Sequence, residues 1–159
     1  MDFRKLGLLG ACALLGIVLW CAWLWQPERQ VRLHQRNFLQ ALEDRDWERI
    51  AEFVDDNYSD RWGHDKGFVL KEGREAFRSF VVLDVQGETV DLSVDSGRGA
   101  VLLRLRMRGR GNPIAETVLA RVNGLQEPWR FEWGQGSKPW EWRLTRLDHN
   151  QLHIPSSPY

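Results

Sequence analysis

Cysteine is scarce in this chain, and both residues of that type, Cys12 and Cys21, fall inside one uncharged run. The remainder has no thiol to cross-link or to act as a nucleophile. Net charge is absent too, because 22 basic residues balance 22 acidic ones. Setting aside Asp2, Arg4 and Lys5 ahead of the run leaves 20 basic against 21 acidic residues. That balance excludes a nucleic-acid partner, whose binding face needs a basic excess. His34, His64, His149 and His153 are scattered without metal-ligand spacing, so neither a metal nor a cofactor is expected. Internal repeats and low-complexity segments are also missing.

What is present begins with Leu6 to Trp25, LGLLGACALLGIVLWCAWLW. Twenty helical residues reach about 30 Å, the thickness of a bilayer's hydrocarbon core. The run is longer than a signal peptide's apolar core, and it ends in Trp20, Trp23 and Trp25, which suit a retained helix at a membrane boundary. Leu9-Gly10-Ala11-Cys12 looks like a lipidation box, but too few apolar residues separate it from Lys5. The expected organisation is a flank over 1–5, a transmembrane helix over 6–25, a linker over 26–30, a domain over 31–150 and a tail over 151–159. Arg4 and Lys5 on the short flank place the start in the cytoplasm and the domain outside an inner membrane, against a counter-signal from Arg29, Arg32 and Arg36.

The domain's apolar spacing is first helical. Val31, Phe38, Leu42, Trp47, Ile50, Phe53 and Val54 recur at three, four or seven, with a break at Glu43–Asp46 and Asp46 as the N-cap of a second helix. A third helix starts after Asp65, with Gly73 in its middle as an adverse residue. The period then changes to two. Val81, Leu83 and Val85 alternate, and Val90, Leu92 and Val94 resume on shifted parity after Gly87, as a bulge or turn would cause. Val101, Leu103, Leu105 and Met107 oppose Arg104, Arg106 and Arg108, whose charges have Glu116, Glu132 and Glu141 as candidate cross-strand partners. A further strand is expected over Ile114 to Val122, with Glu116 inward. Two aromatic strands carrying Trp129, Phe131, Trp133 and Trp140, Trp142, Leu144 close an α+β domain with an antiparallel sheet.

Helices broken at an acidic-Trp step, followed by an antiparallel meander, resemble the nuclear transport factor 2-like superfamily with its SnoaL-like domains. The segment ALEDRDWERIAEFVDDNYSD, residues 41 to 60, looks like the opening of many such domains. The resemblance spans about residues 30 to 148. It implies a curved sheet forming a cone over N-terminal helices, with a ligand often held in the mouth, and dimerisation through the sheet.

Catalysis in such a cone needs a titratable group where desolvation can tune it. The expected inward faces are apolar instead. The polar constellation is Tyr58 to Lys66, in which His64 is a general-base candidate, Asp60 or Asp65 its orienting partner and Tyr58 a donor. In the alternative structural reading Asp65 caps the third helix, Tyr58 and Trp62 plug the cone and His64 sits in the loop. Trp62, Met107, Trp129, Phe131, Trp133 and Trp142 are the expected pocket lining for a small apolar ligand, unless they simply fill the core. Two functions follow: a membrane-anchored, non-catalytic binding or assembly module, or a tethered SnoaL-like isomerase or hydrolase. The plan of short flank, single span and external domain is similar to that of type IV secretion assembly factors.

Overall fold

The computed structural model describes residues 13–18, 20–21 and 23–152. The flank over 1–5, the first part of the expected span with Cys12, and the tail with His153 lie outside the described residues. Helical backbone is present over 13–18, 20–21 and 23–24. Among the described residues no helix is long and apolar enough to cross a membrane.

Helix α1 spans Pro27–Asp44, opening on Pro at its first turn, where the missing N–H costs nothing. Val31, Gln35, Phe38, Leu39 and Ala41 share its buried face. Arg45 closes the helix in the left-handed conformation (φ 58°), with its own N–H on Leu42 O and that of Asp46 on Ala41 O. This is the expected break. Asp46 then caps α2, Trp47–Phe53, by accepting from the Arg49 N–H at 3.1 Å. Helix α3, Lys66–Arg78, starts on Asp65, which accepts from the Phe68 N–H at 2.8 Å. Gly73 is a packing residue: a Cβ there would lie 2.9 Å from the Trp47 ring, which meets Phe77 edge-on.

Four antiparallel strands form one meander in the order β1 (Phe80–Asp95), β2 (Arg98–Gly111), β3 (Trp129–Gln135), β4 (Trp142–Asp148). The first two join through Ser96-Gly97, both at positive φ (47° and 76°), as a tight two-residue hairpin needs. The parity change in β1 is a bulge between Thr89 and Asp91, and the strand runs unbroken through Gly87. Gly87 leaves room for Leu39 of α1 to reach the sheet, since a Cβ would stand 2.6 Å from its methyl carbon. Val101, Leu103 and Met107 face the core, as their alternation predicts. The opposite face pairs differently from expectation. Arg104 and Arg108 bridge Glu88 and Asp84, their direct partners on β1, while Glu132 and Glu141 engage Arg130 and Arg143.

The expected strand over 114–122 is a helix. Asn112 accepts from the Ile114 and Ala115 N–H groups, Pro113 takes the first turn, and α4 runs Pro113–Gly124 with Glu116 exposed. Ala115 is buried, and Val118, Leu119 and Val122 pack against the core at spacings of three, four and seven. The helical period outcompetes the alternation read between Ile114 and Val122. Helix α4 also completes the sheet. Beyond Leu103, β2 has no β3 partner, and there the Asn123 amide accepts from Met107 N at 2.8 Å and donates to Met107 O at 2.7 Å. On the other flank, residues 54–59 cover β4 through Asp55 N to Leu144 O and Ser59 N to Thr145 O.

Candidate functional site

The loop between α2 and α3 folds around one carboxylate. Ser59 and Asp65 form an antiparallel bridge, and Gly63 turns at φ +83°. Inside this turn Asp60 Oδ1 accepts from the backbone N–H groups of Trp62 and His64, both at 2.9 Å. Asp60 Oδ2 lies 2.9 Å from His64 Nδ1. A carboxylate only accepts, so Nδ1 carries the proton. Both residues are buried. The imidazole stacks on Phe68 at 4.1 Å, and Trp62 donates from its indole to Leu152 O at 3.1 Å. Arg61 reaches Asp148 and Asn150, tying the loop to the end of the sheet.

Tyr58 stands beside this loop, buried at 3% exposure. Burial pushes its hydroxyl well above the ordinary value of 10.0, and the Asp60 charge adds to the effect. An unfolded tyrosine therefore loses its proton first as pH rises. Its stabilising contribution is complete below about pH 10 and declines as pH climbs toward the raised folded value. Denaturant midpoints are expected to fall above pH 10, and Tyr58→Phe should flatten part of that decline.

The expected pocket lining is distributed through the core. Phe131, Trp133 and Trp142 are each at most 2% exposed. Trp133 meets Phe38, Phe53 and His34 edge-on. Trp129 packs on His149 at 4.8 Å, Met107 is held by Asn123, and Trp62 belongs to the loop. Asp60, His64, Tyr58 and Trp62 thus come together, while Met107, Trp129, Phe131, Trp133 and Trp142 belong to the wall between sheet and helices. Gln35, absent from the residues expected at the site, accepts through Oε1 from the Trp133 indole at 2.9 Å. Its place four residues after Val31 and four before Leu39, within an apolar stripe, was the available signal.

Between α1, α2 and the β3–β4 loop lies a shallow groove of about 340 Å³, whose lining includes His34, Arg49, Glu52, Phe53, Lys138 and Trp140. Trp140 belongs to the β3–β4 loop rather than to a strand, and is 47% exposed.

No family model matches the sequence, and no curated protein matches it. Solved structures do match in fold. A conserved protein from Planctomyces limnophilus aligns with a TM-score of 0.60 and 13% identity, over 76% of this chain and 91% of that one. A protein of the nuclear transport factor 2-like family from Streptomyces avermitilis aligns at 0.58 and 16%, over 76% and 91%. Bd1075 of Bdellovibrio bacteriovorus gives 0.58 and 11% over 78% of this chain, which spans only 41% of that protein. These likenesses show a nuclear transport factor 2-like α+β fold.

Proposed function

We propose that this chain is a single-pass membrane protein whose domain serves as a non-catalytic binding or assembly module on the outer side of a cytoplasmic membrane. The observation carrying the non-catalytic reading is the aromatic packing of the core. Phe38, Phe53, Phe131 and Trp133 pack edge to face between sheet and helices, and the Gln35 oxygen is taken by an indole. The cavity of about 450 Å³ beside them, between α1 and the first two strands, has Leu24, Gln30, Gln35, Leu39 and Leu103 in its lining and holds no acid–base pair among the described residues. The Asp60 carboxylate is engaged by its own loop. Supporting the tether are the apolar run over 6–25 and the outward Leu14, Leu15, Ile17, Val18 and Trp20, each about 60% exposed. Arg4 and Lys5 support the orientation. The near-neutral domain suits a protein partner or a second copy better than nucleic acid.

The enzyme reading rests on one observation, the oriented Asp60–His64 pair, which has the geometry of an acid–base dyad. His64→Asn separates the two. The amide keeps a donor for Asp60 and removes the imidazole. In the source organism, the His64→Asn chain is expected to restore a deletion phenotype at normal abundance. Failure to restore it at normal abundance would favour the enzyme. A periplasmic reporter fused after Tyr159 should be active, and activity of a cytoplasmic reporter alone would reverse the orientation.

A further inference from the structure

Helix α1 begins with almost no linker behind the helical residues that precede it, since only Trp25 and Gln26 are non-helical between them. That short turn is braced. Gln30 Nε2 donates to Leu24 O at 2.8 Å, and the Arg29 guanidinium lies 3.4 Å from the centroid of the Trp23 ring. The β3–β4 loop arrives at the same place from far along the chain. Its Trp140 ring sits 5.7 Å from that of Trp25, tilted by 40°, and Lys138 Nζ lies 5.9 Å from the Trp140 centroid.

The loop is rigid by its own hydrogen bonds. Gly136 N donates to Glu141 O, Glu141 N to Lys138 O, and the Gln135 amide and Trp142 indole both donate to Pro139 O. Glu141 is itself engaged by Arg143 and Ser137. The loop therefore holds Trp140 outward although burying it would gain apolar contact. Trp23, Trp25 and Trp140 are each 44–47% exposed, and Arg29 and Lys138 flank them.

Exposed indoles beside cations suit one environment. At a bilayer's headgroup level an indole buries its rings and keeps its N–H among polar groups, while Lys and Arg reach phosphates. We infer that Trp140 and Lys138 form a second membrane contact: the β3–β4 loop rests in the headgroup layer beside Trp25 and fixes the domain's tilt on the bilayer. This inference rests on the tethered reading. It makes the domain a strapped platform with a constant face toward its partners.

The test uses the full chain with Cys12→Ala and Cys21→Ala, a single label site at Ser137→Cys carrying an environment-sensitive NBD dye, and vesicles of phosphatidylcholine and phosphatidylglycerol. Phosphatidylcholine bearing a nitroxide near the headgroup serves as the quencher. A second label at Asp44→Cys, the far end of 18-residue α1 and about 25 Å along that helix from its start, is the reference. The label at position 137 should be quenched at least twofold more than that at 44, and adding Trp140→Ser should remove the difference. Equal quenching at the two sites, or an undiminished difference after Trp140→Ser, overturns the contact when the chain resists alkaline carbonate extraction. Release by carbonate overturns the tether itself, and the contact with it.

Discussion

Asp60→Ala is expected to destabilise the folded chain by about 3–5 kcal/mol, the cost of removing one member of a buried, hydrogen-bonded pair. Three donors lose their acceptor at once: the backbone N–H groups of Trp62 and His64 and the imidazole Nδ1–H. Water cannot easily replace it, because the two side chains are only 3–4% exposed. Against a typical total of about 5–15 kcal/mol, the loss takes a large share of the stability. A urea titration followed by tryptophan emission reads it directly. Asp60→Asn keeps an oxygen for the backbone donors and should cost less. A change below about 1 kcal/mol for the alanine variant would mean that the loop closes by other means.

Trp133→Ala should cost a similar amount, about 3–5 kcal/mol, for a different reason. The indole is 1% exposed and touches rings from both α1 and α2, so its removal leaves a cavity between sheet and helices. It also strands Gln35, whose Nε2 is already without a partner among the described residues. Trp133→Phe separates the two effects, retaining most of the packing while costing about 1–2 kcal/mol for the orphaned amide oxygen. Adding Gln35→Leu should recover much of that second loss, because replacing both polar partners by apolar groups is often nearly neutral. Additive losses in this double-mutant cycle would contradict the coupling.

Local chemistry made much of the fold legible. Asp46 and Asp65 each sit where a short acceptor can bond N–H groups two or three residues on, and each caps a helix. The alternation from Val101 to Met107 specifies a half-buried strand, which β2 is. Misreading entered where two periods competed. From Ile114 to Val122 both fit, and the Asn112-Pro113 start should have decided for a helix. Cross-strand charge pairing depends on register, and it takes both the hairpin at Ser96-Gly97 and the bulge between Thr89 and Asp91 to set Arg104 opposite Glu88. Within the candidate site, the sequence brought Asp60, His64 and Tyr58 to notice through proximity alone. That Asp60 is consumed by backbone donors is a matter of loop geometry, as is the meeting of Trp25 with Trp140 across more than a hundred residues.

Asn123 has a consequence for how copies of the chain coexist. A strand edge with open N–H and C=O groups is a template for another strand. Where β2 outruns β3, the Asn123 amide occupies both backbone groups of Met107; where β4 ends the sheet, residues 54–59 lie along it; on β1, Glu43 takes the Val85 N–H. Each of these closures removes a place where two copies could pair strand to strand, so at those positions contact between molecules falls to side chains.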